Sequence, residues 1–160
     1  MIRLEKVHSK NVWQIVSLRV SKVQEDFVAT NAQSIIEAYT TITANGVALP
    51  FGIYDDDLLV GFVMIGYNTD DMWDNAPKIA KGNYNLWRLM IDEKYQGKGY
   101  GKKAIEEALK YIRTFPFGKA KYCYLSYNPD NKVAEKLYLS CGFTKTGEKD
   151  DDEIVMALEV

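Results

Sequence analysis

Three glycines crowd the six residues Gln96-Gly97-Lys98-Gly99-Tyr100-Gly101, at the point where a strand-like run, Tyr84 to Asp92, gives way to a helical pattern from Gly99 to Arg113. Glycine admits backbone conformations closed to other residues and lets a ligand approach the main chain. The first N–H groups of the helix that follows have no intrahelical acceptor. Together with the helix dipole they make an anion site, to which Lys98, Lys102 and Lys103 add full charges. Any fold for this chain must therefore join a buried strand to a helix through a tight, phosphate-sized turn.

Several ligands fit such a turn. Gly99-Tyr100-Gly101-Lys102-Lys103-Ala104 satisfies the Gly-x-Gly-x-x-Ala dinucleotide spacing. That reading needs an acidic residue about 20 positions on to hold a ribose hydroxyl, and there is none between Thr114 and Pro129. A P-loop is excluded because no glycine stands five positions before a Gly-Lys-Ser/Thr triplet. A helix entry with no ligand at all fits the glycines equally well.

The flanking chain supplies the architecture. Ile2 to Val7 reads as an edge strand and is followed by a helix from about Ser9, a possible cap, with Val12, Ile15 and Val16 at helical spacing. After a polar stretch, a second helix puts Ile35, Tyr39 and Ile42 on one face with Glu37 off it, and Asn45-Gly46 stops it. Leu49 to Tyr54 and Leu58 to Tyr67 form a hairpin about Asp55-Asp56-Asp57. Asn68 to Asn83 reads as an exposed loop that is available to a substrate. In the helix after the glycines, Ala104, Ile105, Ala108, Leu109 and Ile112 form the inner face. A strand over Lys121 to Tyr127, a short helix over Asn131 to Leu139 and two strands around Phe143 and Ile154 to Leu158 complete the chain. The expected fold class is α/β: one domain over residues 1–160, a mixed central sheet flanked by helices, with parallel strands in the middle.

Composition narrows the function. With 160 residues, 47% of them hydrophobic and 26% charged, the chain has material for one core. A net charge of −2 lacks the basic excess that nucleic-acid binding requires. The N-terminus is charged from its third residue and no apolar run reaches the roughly 18 residues of a membrane span, so a cytoplasmic location is expected. Cys123 and Cys141 do not make a zinc motif; reduced, buried thiols and no metal are expected. Acidic residues cluster at Asp55 to Asp57, at Asp70, Asp71 and Asp74, and at Asp150 to Glu153. Such clusters would suit a cationic partner.

A second motif follows the glycines by one strand and one helix: Asn131, Ala134, Leu137-Tyr138 and Gly142-Phe143, the pattern Asn-x-x-Ala-x-x-Leu-Tyr-x-x-x-Gly-Phe. With Gln96, Gly99 and Gly101 standing for Gln/Arg-x-x-Gly-x-Gly/Ala, the chain resembles the GNAT superfamily of N-acetyltransferases over nearly its whole length. Within it, Gln24 to Tyr39 and Trp87 to Asp92 are similar to the bacterial spermine/spermidine acetyltransferases. The resemblance implies acetyl-CoA as cosubstrate, a primary amine, most of all a polyamine, as acceptor, and a homodimer. Because neither Cys123 nor Cys141 has a histidine in a recognisable arrangement for an acetyl-cysteine route, direct transfer in a ternary complex is expected.

It also implies roles. Gln96, Gly97, Lys98, Gly99, Tyr100, Gly101 and Lys102 hold the CoA pyrophosphate, with Asn131 and Lys136 as further cofactor contacts. The backbone of Leu89, Met90 and Ile91 lies beside the acetyl and pantetheine groups, and Tyr138 is the general acid. Glu37, at the acidic position of the polyamine-enzyme segment, binds or deprotonates the amine, while the loop carboxylates Asp70, Asp71 and Asp74 would attract a polycation through their local field. Plainer readings stand beside these: Asn131 as a helix cap, Tyr138 as a packing tyrosine, and the carboxylates as a solvated surface. Trp73 and Trp87 could line a channel or simply pack. His8 reads as incidental. A peptide or protein N-acetyltransferase and a noncatalytic CoA-binding domain remain as alternatives, and the base is not identified by the residues.

Overall fold

The computed structural model describes Met1–Val160. In chain order it contains β1 (Ile2–Lys6), α1 (Val12–Ser17), α2 (Asn31–Thr43), β2 (Val47–Asp55), β3 (Leu58–Tyr67), β4 (Tyr84–Ile91), α3 (Tyr100–Ile112), β5 (Tyr122–Tyr127), α4 (Lys132–Ser140), β6 (Thr144–Asp150) and β7 (Glu153–Glu159). The strands form one mixed sheet of seven in the order β1-β2-β3-β4-β5-β7-β6, all antiparallel except β4 against β5.

Helices cover both faces, so the inner strands carry apolar side chains on both sides. On one face α3 lays the predicted Ala104, Ile105, Ala108, Leu109 and Ile112 onto Phe51, Ile53, Val63, Ile65, Tyr84 and Leu86. On the other, α1 and α2 cover Phe62, Met64, Ala48 and Met90. Successive residues of β3 thus alternate between two cores, as the pleat requires.

Three expectations are corrected. Ser9 caps nothing; the chain turns through Asn11, whose Oδ1 accepts from the His8 N–H (2.8 Å). The second helix is turned about its axis: Tyr39 and Ile42 are exposed and Ile35 half-buried, while Asn31, Ser34, Ala38 and Thr41 pack inward. Small side chains bring α2 close to the sheet, and their polar atoms are met locally, Asn31 Nδ2 donating to the Ile15 carbonyl (2.9 Å) and Ser34 Oγ to that of Thr30 (3.0 Å). The segment between β3 and β4 is not wholly exposed, because Thr69, Pro77 and Ala80 are buried.

The feature that positions the site is the parting of β4 from β5. They pair only through Tyr84↔Cys123 and Asn85↔Tyr124, while β5 stays paired with β7 along its whole length. In β4, Arg88 stands opposite Met64 and Leu86 opposite Ile65, so Trp87 is an unpaired extra residue. A bulge of this kind bends a strand and increases its twist. Beyond Asn85 the side of β4 facing β5 is left without a ladder partner.

Candidate active site

The parting opens a cavity of about 640 Å³ on the α3 side. Its walls are the free edge of β4 from Leu86 to Ile91, the glycine turn, Ser126 and Tyr127 of β5, Asn131, Ala134, Leu137 and Tyr138 beside and on α4, Glu153 of β7, and the segment Gln24 to Ala29 that leads into α2. Gly97 (φ +74°) and Gly99 (φ +80°) sit in left-handed backbone, which explains the glycines at both positions. Gly101 answers a different need: a Cβ there would lie 3.2 Å from Leu137, so its absence lets α4 close on α3. The first intrahelical donor of α3 is the Lys103 N–H, to the Gly99 carbonyl (3.3 Å), and the N–H groups before it are open to a ligand. A turn of positive-φ glycines, a dipole and Lys102 in the wall fits a pyrophosphate.

The turn is braced from behind. Gln96 Nε2 donates to the Ile91 carbonyl (2.9 Å) and to Gln24 Oε1 (3.0 Å), tying the end of β4 to the polar stretch before α2. Buried Asp92 accepts from the N–H groups of Arg19 (3.0 Å) and Lys94 (3.1 Å). Tyr100 donates to Asp55 (3.0 Å). Asn131 both caps α4, accepting from the Ala134 N–H (3.1 Å), and lines the cavity, so its two readings are compatible.

Tyr138 projects from α4 between Tyr127 and Phe143, at ring-centroid distances of 6.0 and 6.3 Å. Burial, and then the charge of Glu153, push its phenol above the ordinary tyrosine value. It is therefore protonated at neutral pH and able to donate.

A second cavity of about 470 Å³ lies on the α2 side of the same parting. Its wall combines Glu37, Thr40 and Thr41 of α2, Met72 and Trp73, the β4 residues Asn85 to Arg88, and the acidic turn Asp150 to Glu153. The Trp73 and Trp87 rings approach to 5.3 Å, and Trp73 Nε1 donates to Asp150 Oδ1 (3.1 Å). Glu37 turns into this cavity because α2 is rotated, and it is held there: Arg88 binds its Oε2 (2.8 Å) and Gln33 its Oε1 (3.0 Å).

Not every expected residue reaches a wall. Asp70, Asp71 and Asp74 line neither cavity; their segment directs Met72 and Trp73 inward and leaves Asp71 and Asp74 exposed. Lys98 and Lys136 are exposed and outside the lining, Lys98 lying over the Tyr95 ring at 5.5 Å. The acidic wall comes instead from Asp150 to Glu153, a cluster visible in the sequence but tied to the cleft only by strand order. Trp73 and Trp87 also belong to the wall. Cys123 is buried with its thiol pushed up to about 12, Cys141 is half-buried, and both are free. His8 pairs with Glu5 (2.9 Å) at the surface, away from either cavity.

Comparison with known proteins gives this geometry its context. The acetyltransferase (GNAT) family model matches residues 19–143. The spermine/spermidine N(1)-acetyltransferase of Bacillus subtilis is 32% identical over 160 residues, covering 99% of both chains. The chain belongs to the GNAT acetyltransferase family. It is an N-acetyltransferase whose cosubstrate is acetyl-CoA. Its fold is shared with an aminoglycoside acetyltransferase solved in complex with coenzyme A (TM-score 0.77, 15% identity, 99% and 95% of the two chains covered). It is shared too with a spermidine N-acetyltransferase from Vibrio cholerae solved with CoA and spermine (TM-score 0.66, 18% identity, 99% and 94% covered). No helix is long and apolar enough to cross a membrane.

Proposed function

We propose that this acetyltransferase acts on a primary amine of a polyamine, with acetyl-CoA seated in the cavity on the α3 side and the amine entering from the α2 side. The observation that carries the reading is the meeting of two cavities at the parting of β4 and β5, one floored by the glycine turn and the other walled by carboxylates and two tryptophans. The name of the Bacillus subtilis relative supports the choice of acceptor. Glu37, Asp150 and Glu153 supply negative potential, and the aromatic walls suit alkylammonium groups.

The cosubstrate supplies an acetyl group activated as a thioester. The backbone N–H groups of Gly97 to Lys102 cradle its pyrophosphate, and Asn131 contacts it from α4. An unpaired amide among Leu89, Met90 and Ile91 donates to the carbonyl oxygen as negative charge develops there. Tyr138, held protonated by burial, gives its proton to the departing sulfur as the thiolate forms. Glu37, held by Arg88 in the wall of the acceptor cavity, is a cation contact there.

The test is thiol release from acetyl-CoA with spermidine, spermine, a short diamine and a lysine-containing peptide at equal concentration. Preference for the longer polyamines is expected. Preference for the peptide would replace the polyamine reading with a peptide N-acetyltransferase.

A further inference from the structure

Five residues line both cavities: Leu86, Trp87 and Arg88 of β4, Ser126 of β5 and Glu153 of β7. They mark the passage between cosubstrate and acceptor, and Glu153 is the one carboxylate among them. The other carboxylates of the acceptor cavity lie on its side alone. Glu37 has both oxygens engaged by Arg88 and Gln33, and Asp150 accepts from Trp73. Asp151 and Asp152 are exposed at the turn between β6 and β7. Glu153 is half-buried and takes part in none of the side-chain hydrogen bonds or ion pairs that hold its neighbours.

Its place follows from the sheet. Glu153 opens β7 opposite Asp150 on the β6 side. Beside it, Ile154 pairs with Tyr127, the last residue of β5, at the end where β5 has left β4. Val155 and Ala157, which alternate with it along β7, face the α2 side with Tyr124. Glu153 is thus brought to the mouth of the parting, where the reacting atoms of the two substrates must meet.

We infer that Glu153 is the general base of the acetyl transfer. The inference rests on the reading above that the acceptor is an amine. The nitrogen lone pair forms the N–C bond to the thioester carbonyl carbon, and one N–H proton passes to a Glu153 carboxylate oxygen. The C–S bond breaks with its electron pair on sulfur, which takes the Tyr138 proton. Solvent carries the proton from Glu153 back to the tyrosine, so neutral amine and thioester give amide and thiol with no net proton change. An amine that arrives as ammonium releases one further proton to solvent.

The surrounding charges support the assignment. Arg88 on β4, Asp150, Asp151 and Asp152 on the same hairpin, Tyr127 at the end of β5, Glu37 across the acceptor cavity and Tyr138 across the cosubstrate cavity are the titratable and charged groups around Glu153. Burial first, then the charges of Asp150 and Asp151, hold the Glu153 carboxyl above the usual carboxylate range, with Arg88 opposing. A carboxylate so placed is a stronger base than a solvated one.

The experiment compares Glu153→Gln, Glu153→Asp and Glu153→Ala with wild type, using acetyl-CoA and the amine that wild type accepts best, from about pH 5 to 9. Coenzyme A binding by calorimetry reports whether each variant is folded. Glu153→Gln should lose about 100- to 10,000-fold in kcat with little change in amine KM. Wild type should show an acidic limb in kcat that Glu153→Gln loses and Glu153→Asp keeps at reduced kcat. Formate should restore part of the kcat of Glu153→Ala, which replacing a structural side chain would not do. A Glu153→Gln kcat within about threefold of wild type, or a loss confined to amine KM, overturns the base. Wild-type protein that binds coenzyme A but acetylates no amine overturns the acceptor reading and the base together, and is told apart because wild type itself fails.

Discussion

Gly99→Ala and Gly147→Ala form a matched pair that separates the strain of the glycine turn from its use. Gly99 has φ +80° and Gly147 has φ +87°, and a Cβ at either meets nothing within 4 Å, so the substitution adds backbone strain without a clash. Left-handed backbone costs a non-glycine residue about 1–2 kcal/mol. For a chain of this size each kcal/mol lowers Tm by about 2–4 °C, so both variants should melt roughly 2–8 °C below wild type. They differ in place. Gly99 is the N-cap of α3 in the wall of the larger cavity, whereas Gly147 lies in β6 and lines neither cavity. Relaxing the strain at Gly99 re-aims the N–H groups at the start of α3. Hydrogen bonds to a charged group contribute about 1.5–3 kcal/mol each, so losing one should weaken coenzyme A about tenfold to hundredfold. Thermal melts and calorimetric titration with coenzyme A report both quantities. Coenzyme affinity unchanged in Gly99→Ala despite a lower Tm would refute the turn as the pyrophosphate site, and unchanged Tm in both variants would refute the strain argument.

Three further outcomes are expected. Tyr138→Phe should retain coenzyme A binding while kcat falls about 100- to 10,000-fold in steady-state assays; unchanged turnover would remove Tyr138 as the acid. Trp73→Ala should raise the KM for the preferred amine about two- to thirtyfold through loss of an aromatic wall, with the KM for acetyl-CoA unaltered. Asp150→Asn should raise Tm at pH 7 but not at a pH below the ordinary carboxylate range. Burial, with Asp151, raises the Asp150 carboxyl above its unfolded value, so the native state binds more protons in that interval and wild type loses stability as pH rises through it. Asparagine keeps an oxygen for the Trp73 N–H (3.1 Å) while removing the charge, and melts across pH check the difference.

The parts of the fold legible in the sequence were those set by local rules. The glycine turn, the inner face of α3, the hairpin of β2 and β3 and the parallel β4 and β5 all followed from turn chemistry and periodicity. The face of α2 did not, because close packing on the sheet selected Ser34, Ala38 and Thr41 over the larger Ile36, Tyr39 and Ile42. That rotation is also what turns Glu37 into a cleft rather than to solvent. Among the acidic clusters, composition alone did not distinguish Asp70, Asp71 and Asp74 from Asp150 to Glu153. The distinction depends on β7 lying beside β5 at the parted end of the sheet, a long-range pairing with no local signature. For Trp87 the sequence left channel wall and packing both open, and the bulge in β4 sets it on the wall of both cavities.

A crystal structure with coenzyme A and spermidine bound together tests the two-cavity arrangement directly. The pyrophosphate should lie on the N–H groups of Gly97 to Lys102 and the polyamine in the cavity of Glu37, Trp73 and Asp150, with one amine nitrogen reaching the passage at Arg88, Ser126 and Glu153. A polyamine bound outside that cavity, or coenzyme A seated away from the glycine turn, would contradict it.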